Sequence, residues 1–498
     1  MNRKSGFALA FCLITSVLMP VSVLGQGNSQ SEILERLQRL EEQQAQFSEQ
    51  LREKDDRIRE LEKQLAETSV SPEAVSAGSV NAVAEAQAET PVATSTTEEY
   101  FGEFQPGGRG FKLADTSWGD VNFSAWAYAR YLNQSGLDDT YTDAFGRTRE
   151  LDLRQDIQLN KVNVYFKGWV YDPRLRYLFY AWTSNTSQGE GAQVVVAGNL
   201  AYRFNEMAEL GVGIGALPGT RTLRGTFPYW NKVDNRPIAD EFFRPSYTSG
   251  VWAGGKFSDT VNYRVMLGNN LSQLGVSAAE LDEGLNTFSA AVWWTPSTGE
   301  YGPSGGYGDF DYHEDMATTF GAHFTRSRED RQSQPGTEDI QNTQLRLSDG
   351  TVIFQPDAFG TGGSISRATY QMTSVDAGLK YRGFALEGEY YFRWLDDFEF
   401  EGAIPLSELF DHGFQVQASM MLLPRKLQSY LAGSKIFGEY GDPWDIALGL
   451  NWYPLEQQLF RVNTELLYLY NSPVGYSSVP FQLGGNGTVF NANIEVVF

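Results

Sequence analysis

The sequence predicts an all-β transmembrane barrel of about sixteen antiparallel strands behind an α-helical coiled coil. Three observations predict it. The final stretch, Thr488–Phe498, alternates apolar residues (Phe490, Ala492, Ile494, Val496, Phe498) with a more polar face (Val489, Asn491, Asn493, Glu495, Val497). Segments of the same period recur upstream, joined by connections that are alternately short and long. Beyond residue 25 no apolar run is long enough for a membrane helix. A chain that crosses a membrane without helices must close its strands into a ring, because hydrocarbon offers no partner to a backbone N–H or C=O.

Composition agrees. The 498 residues are 41% hydrophobic and 14% aromatic, yet mean hydropathy is -0.36. Such a balance suits a sheet with one greasy face and one polar face. The formal net charge of -23 excludes a nucleic-acid binder, which needs a basic face for phosphates.

Residues 1–25 read as a signal peptide. Arg3 and Lys4 precede an apolar stretch from Gly6 to Leu18, and Val23-Leu24-Gly25 precedes a cut near Gln26. A signal anchor is the alternative. The single cysteine, Cys12, falls in this segment, so the mature chain is expected to lack disulfides, thiol chemistry and zinc–cysteine sites.

Residues 31–67 carry a heptad pattern. Ile33, Leu40, Phe47 and Leu61 take one core position with Lys54 as its polar exception, and Leu37, Leu51, Ile58 and Leu65 take the other with Gln44 as exception. This predicts a periplasmic coiled coil, with a surface-lying amphipathic helix as the alternative. Residues 68–100, rich in Ala, Ser, Val, Glu and Thr and containing Pro72 and Pro91, show no period and read as a flexible tether.

Residues 111–498 form the expected barrel. Phe460, Val462, Thr464, Leu466, Tyr468 and Tyr470 alternate with Arg461, Asn463, Glu465, Leu467 and Leu469. Ile446, Leu448, Leu450 and Trp452 alternate with Ala447, Gly449 and Asn451. A hairpin about Arg382-Gly383 sets Val375, Ala377, Leu379, Tyr381, Phe384, Leu386, Tyr390 and Phe392 against Asp376, Lys380, Arg382, Glu387, Glu389 and Arg393. Charges at strand spacing cannot face a dry core but can face water. Short connections such as Ser258-Asp259 and Pro424-Arg425-Lys426 alternate with long ones such as Pro218–Arg244 and Ser327–Gln371, the asymmetry of outer-membrane barrels. Thr295–Asp315 is long where parity asks for a short turn, so either an insertion sits there or the strand count slips.

Several segments carry a family resemblance: LDLRQDIQLNKVNVYFKGWVYDPRLRYLFYAW at Leu151–Trp182, LAYRFNEMAELGVGIG at Leu200–Gly215, HGFQVQASMMLLPRKLQSYLAGSKIF at His412–Phe437 and DIALGLNWYPLEQQLFRVNTELLYLY at Asp445–Tyr470. With these, the chain resembles the phosphate-selective porin O/P family over roughly Gly119–Phe498. The resemblance implies a sixteen-stranded homotrimeric porin in the cell outer membrane, some relatives of which carry N-terminal coiled coils. The terminal Phe498 also resembles the signal read by the outer-membrane barrel assembly machinery. Where such porins carry a lysine near the fifth strand, this chain has Ala216-Leu217-Pro218-Gly219.

By strand parity Pro218–Arg244 is the third external loop, which folds into the lumen in trimeric porins. Its Arg221, Arg224, Lys232, Arg236 and Arg244 are candidates for an anion-favouring constriction, since rings of Arg and Lys favour anions. The alternative is a loop whose basic residues pair with nearby acids. Arg264, Lys380, Arg393, Arg461, Asn463 and Glu465 are candidate pore-wall residues. His313, His323 and His412 lack ligand spacing. Asp309–Asp315 could supply oxygen ligands to calcium but reads better as a solvated acidic loop. No nucleophile or phosphate-loop motif appears, and no enzymatic activity, cofactor or metal is expected. The expected function is passive diffusion of small hydrophilic solutes, with inorganic anions such as phosphate as candidates. The expected partners are outer-membrane lipid, the assembly machinery and two further copies of the chain. The alternative is a non-conducting tether between outer membrane and cell wall, with peptidoglycan as the partner of the coiled coil.

Overall fold

In the computed structural model, residues 103–105, 110–184, 193–273, 284–330, 345–475 and 479–498 are described. The signal segment, coiled coil and tether expected at 1–25, 31–67 and 68–100 lie outside the described residues.

Eighteen strands hydrogen-bond into one sheet. Two short ones, Glu103–Gln105 and Gly110–Thr116, lead into it. The other sixteen form a closed ring: β1 (Gly119–Leu137), β2 (Gln155–Val170), β3 (Asp172–Ser184), β4 (Gln193–Arg203), β5 (Glu209–Ala216), β6 (Tyr247–Ser258), β7 (Val261–Gly268), β8 (Thr287–Trp294), β9 (Ala317–Asp330), β10 (Ser364–Tyr381), β11 (Phe384–Glu401), β12 (Leu409–Leu423), β13 (Leu427–Phe437), β14 (Trp444–Trp452), β15 (Phe460–Tyr470) and β16 (Gly487–Val497). Each strand pairs antiparallel with the next, and β16 pairs with β1 from Val497↔Trp126 to Gly487↔Leu137. The closure runs to the last residue. Phe498 N–H donates to the Ala125 carbonyl at 2.9 Å and the Ala125 N–H returns a bond to the Phe498 carbonyl at 2.6 Å. The Phe498 ring meets Phe111 and Phe123 at 6.2 and 6.3 Å.

The two faces follow the alternation in the sequence. On β14 Ile446, Leu448, Leu450 and Trp452 are exposed outward, while Asp445, Ala447 and Asn451 are buried inward. On β15 Leu466, Tyr468 and Tyr470 face out, and Arg461, Asn463 and Glu465 face in. Aromatic pairs sit on the outer face toward both ends of the ring: Phe257–Tyr263 and Trp294–Phe320 near the short turns, Trp394–Phe410 and Trp444–Tyr470 toward the long loops. Aliphatic side chains such as Val416, Leu431 and Leu448 lie between them. This is the surface of a barrel set in hydrocarbon with rings at the two interfaces.

The turn Arg382-Gly383 has positive φ at both residues, 48° and 85°, as a two-residue hairpin of matching twist requires. Arg382 therefore lies exposed in the turn rather than on the inner face where alternation alone would put it. The irregular connection is an insertion, since β8 and β9 pair directly on either side of it and the strand count stands. Inside the ring the loop between β5 and β6, here L3 (217–246), carries a 3-10 turn, Arg221–Leu223, and a short α-helix, α1 (Ile238–Phe243). The loop between β9 and β10, here L5, contributes Leu345, Leu347, Ile353 and Phe354 to an apolar cluster with Ile238, Phe242 and Phe243 of α1.

Leu448 is 59% exposed on the outer face. Leu448→Arg is expected to lower stability in lipid vesicles by about 2–4 kcal/mol in a urea titration. An unchanged unfolding midpoint would mean this face does not meet hydrocarbon.

Candidate functional site

The sixteen inner faces make the lumen, and L3 determines how much of it stays accessible. Helix α1 packs along β11–β14 with its apolar residues Ile238, Ala239, Phe242 and Phe243 all buried, while its two acids, Asp240 and Glu241, are buried against arginines of the same loop. Its first N–H groups find acceptors on the wall, Ile238 N–H on Asp445 Oδ1 at 3.3 Å and Ala239 N–H on Ser434 Oγ at 3.0 Å. Phe243 stacks on Tyr391 at 5.2 Å, and the Arg393 guanidinium lies 4.0 Å above Phe242. The middle of the loop continues round the wall onto β15 and β1. Arg130 donates to the Val233 carbonyl at 2.8 Å, Tyr128 to Asp234 at 2.9 Å and Arg461 to the Trp230 carbonyl at 2.6 Å.

The structure places all five basic candidates of L3 inside the barrel, each against a carboxylate. Arg221 pairs with Glu387, its Nε donating at 2.8 Å. Arg224 meets Asp376 at 3.1 Å, Lys232 meets Glu465 at 3.5 Å and Arg236 meets Asp240 and Glu241 at 3.3 and 3.2 Å. Arg244 pairs with Glu241. Charge buried this deeply is tolerated only when paired and hydrogen-bonded. A ring of free positive charge is therefore not what these residues form.

The candidate wall residues all point inward. Arg393 binds Asp411 at 2.5 Å and the Arg346 carbonyl of L5 at 2.6 Å. Arg461 binds Glu495 at 2.5 Å. Asn463 bridges Asn451 and Asn493, each at 2.8 Å, and Glu465 accepts from Tyr430 at 2.9 Å and Asn235 at 3.1 Å. Lys380 donates to the Tyr301 and Gly306 carbonyls at 2.8 and 2.6 Å. Most of these residues hold inserted segments rather than line open water. Arg264 differs: it stands over the Trp252 ring at 5.2 Å beside a cavity.

Sequence reasoning missed the part played by the insertion at 295–316. It enters the lumen from the short-turn end and meets L3. Arg221 Nη1 donates to the Gly305 carbonyl at 3.0 Å, and the Tyr307 N–H donates to the Tyr229 carbonyl at 2.7 Å. The Arg221 guanidinium lies 4.3 Å over Tyr307. Its acidic stretch is not a solvated loop at its start: Asp309 is buried, accepts from the Gly383 N–H at 2.7 Å and faces His313 Nδ1 at 2.5 Å. Among the described residues no group of acids and histidines could hold a metal ion. The anomalous length on the short-turn side was the signal that could have found this element.

L3 is anchored to β1, β2 and the β10–β16 wall, so the accessible part of the lumen runs along the other side. Tyr180 and Trp182 are half-buried there. Two cavities of about 340 and 570 Å³ share Arg224, Lys256, Asn262 and Trp293 near the short turns.

No protein-family model matches this chain, and no curated protein matches it by sequence. Among solved structures the barrel is similar to an anion-selective porin from Comamonas acidovorans (11% identity, 76% of this chain and 100% of that one, TM-score 0.47). It is also similar to the outer membrane channel DcaP of Acinetobacter baumannii (9% identity, 77% and 99%, TM-score 0.47) and to OmpT of Vibrio cholerae (12% identity, 78% and 100%, TM-score 0.47).

Glu387→Gln leaves Arg221 buried without its counter-charge and is expected to cost about 3–5 kcal/mol in denaturant unfolding. A loss under about 1 kcal/mol would mean that water already screens the pair. His313 supplies a pH test. Burial pulls its pKa down, but hydrogen bonds to Asp309 and Glu300 outweigh burial and hold it above the ordinary value of 6.5. A raised folded pKa gives stability that is fully present below the unfolded value and is lost as pH rises through the raised one. Amide exchange in 300–313, corrected for intrinsic rates, is therefore expected to speed up relative to the strands on going from acidic to alkaline pH. His313→Asn should abolish that difference.

Proposed function

We propose that this chain is an outer-membrane porin of the O/P type, assembling as a homotrimer and passing small hydrophilic solutes by passive diffusion. The observation that carries the reading is a closed sixteen-strand ring with an apolar outside, a charged inside and two cavities within the lumen lined by residues of β4–β9. A polar lumen bounded by hydrocarbon is a route for solutes that the bilayer excludes. The segments that resemble the O/P family support the family assignment, and the heptads at 31–67 support a periplasmic coiled coil. A phosphate preference gains nothing from L3, because its basic residues are matched by acids.

A second reading has its own support. L3, L5 and the insertion at 295–316 enter from both ends and bond to the wall and to one another. A barrel filled in this way would suit a non-conducting tether between membrane and cell wall.

Planar-bilayer recording separates the two. The porin reading predicts steady open steps, a reversal potential with little preference between potassium and chloride, and no advantage for phosphate. Removing residues 299–312 should enlarge the steps. A protein that inserts yet gives no steps, before or after that deletion, is a tether.

A further inference from the structure

The accessible side of the lumen holds an arrangement that the paired charges of L3 do not explain. Trp252 on β6, Arg264 on β7 and Trp293 on β8 lie on one diagonal of the inner wall. Trp252 pairs with Met266, two residues from Arg264, and Arg264 pairs with Ala291, two residues from Trp293. Such diagonal neighbours stand about 7–8 Å apart. Arg224 of L3 completes the row: its Nη2 is held by Asp376 at 3.1 Å, and its guanidinium lies 5.2 Å above Trp293, as that of Arg264 lies 5.2 Å above Trp252. Rings and guanidinium groups thus alternate along the wall of one cavity.

The backbone makes room for this row. A Cβ on Gly211 would fall 2.2 Å from the Trp252 indole, and one on Gly215 would fall 3.3 Å from Arg264 Nη2. On the far side, a Cβ on Gly321 would fall 1.9 Å from Asp376 Oδ2 and 2.5 Å from Arg224 Nη1, so this glycine admits the Arg224–Asp376 pair. Two donors in the row, Arg264 Nε and Arg224 Nη1, are buried with no hydrogen-bond partner among the described residues. An unsatisfied buried donor is costly, more so on a charged group. Donors left in this state beside a cavity point to an acceptor brought by a ligand.

The geometry points to a binding subsite for small planar organic carboxylates, the carboxylate on Arg264 and Arg224 and the flat body on Trp252 and Trp293. This rests on the reading of the lumen as a solute path. A guanidinium fork matches a carboxylate, and indole faces favour flat apolar groups over fully hydrated ions. Glu206, Glu209 and Glu300 line the same two cavities, so a monoanion fits better than a phosphate dianion.

Calorimetric titration of the purified full-length protein in detergent tests the subsite without requiring conduction. Sodium benzoate should bind, with sodium phosphate and benzyl alcohol each weaker by at least about tenfold. Arg264→Gln and Arg224→Gln should each weaken benzoate by about tenfold to a hundredfold. Trp293→Leu should weaken benzoate and leave phosphate unchanged. The three-probe comparison needs no variant, and heat-modifiable gel migration identifies any variant that has not folded. Phosphate binding as tightly as benzoate overturns the subsite, and so does benzyl alcohol binding as tightly. Benzoate affinity indifferent to both arginine variants overturns it too. Channel steps without benzoate binding defeat the subsite alone. Benzoate binding without channel steps defeats the porin reading and leaves the subsite in place.

Discussion

A strand in hydrocarbon must give every backbone N–H and C=O a partner, and the rest of this molecule follows from how that requirement is met. Sixteen strands satisfy it by returning to their start, with β16 laid against β1 and the last residue bonded both ways to Ala125. Once the ring is closed, side chains have two destinations. Those on one side of each strand meet lipid and those on the other meet the enclosed lumen, so a single alternation determines both the membrane surface and the internal chemistry.

The lumen then faces an electrostatic problem. It holds Arg221, Arg393 and Arg461, almost wholly withdrawn from solvent. Their desolvation is tolerable because Glu387, Asp411 and Glu495 lie within ion-pair distance. These pairs also determine where the inserted segments lie. L3 is drawn to the wall that carries the acids, and the insertion from the opposite end is held by Arg221 and Lys380 through backbone carbonyls. The side of the lumen over β3–β8 is less supplied with carboxylates and stays more accessible, and the ring–guanidinium row lies there.

Much of this was legible beforehand. The facing of β14, β15 and β16 and the number of strands follow from period-two alternation, which a sheet between lipid and a polar interior imposes residue by residue. The inward acids Asp376, Glu387 and Glu389 were legible too, because they share a strand face. Pairing was not. Nothing in the order of residues says that Arg221 meets Glu387, 166 positions away, rather than water. The insertion at 295–316 announced itself only as an excess of length, since the burial of Tyr307 and Asp309 depends on what stands opposite them. Arg382 shows the limit of alternation: a two-residue turn with positive φ takes its side chain off the face that counting assigns.

The claim underlying this account is that consecutive side chains face hydrocarbon and lumen in turn. Nitroxide scanning along β15 tests it most directly, each position from Phe460 to Tyr470 being replaced by a labelled cysteine in protein reconstituted into lipid. Collision with oxygen, which concentrates in hydrocarbon, should peak at Val462, Thr464, Leu466, Tyr468 and Tyr470 and fall at Arg461, Asn463, Glu465, Leu467 and Leu469. A profile without a two-residue period, or with the maxima on the arginine side, would contradict it.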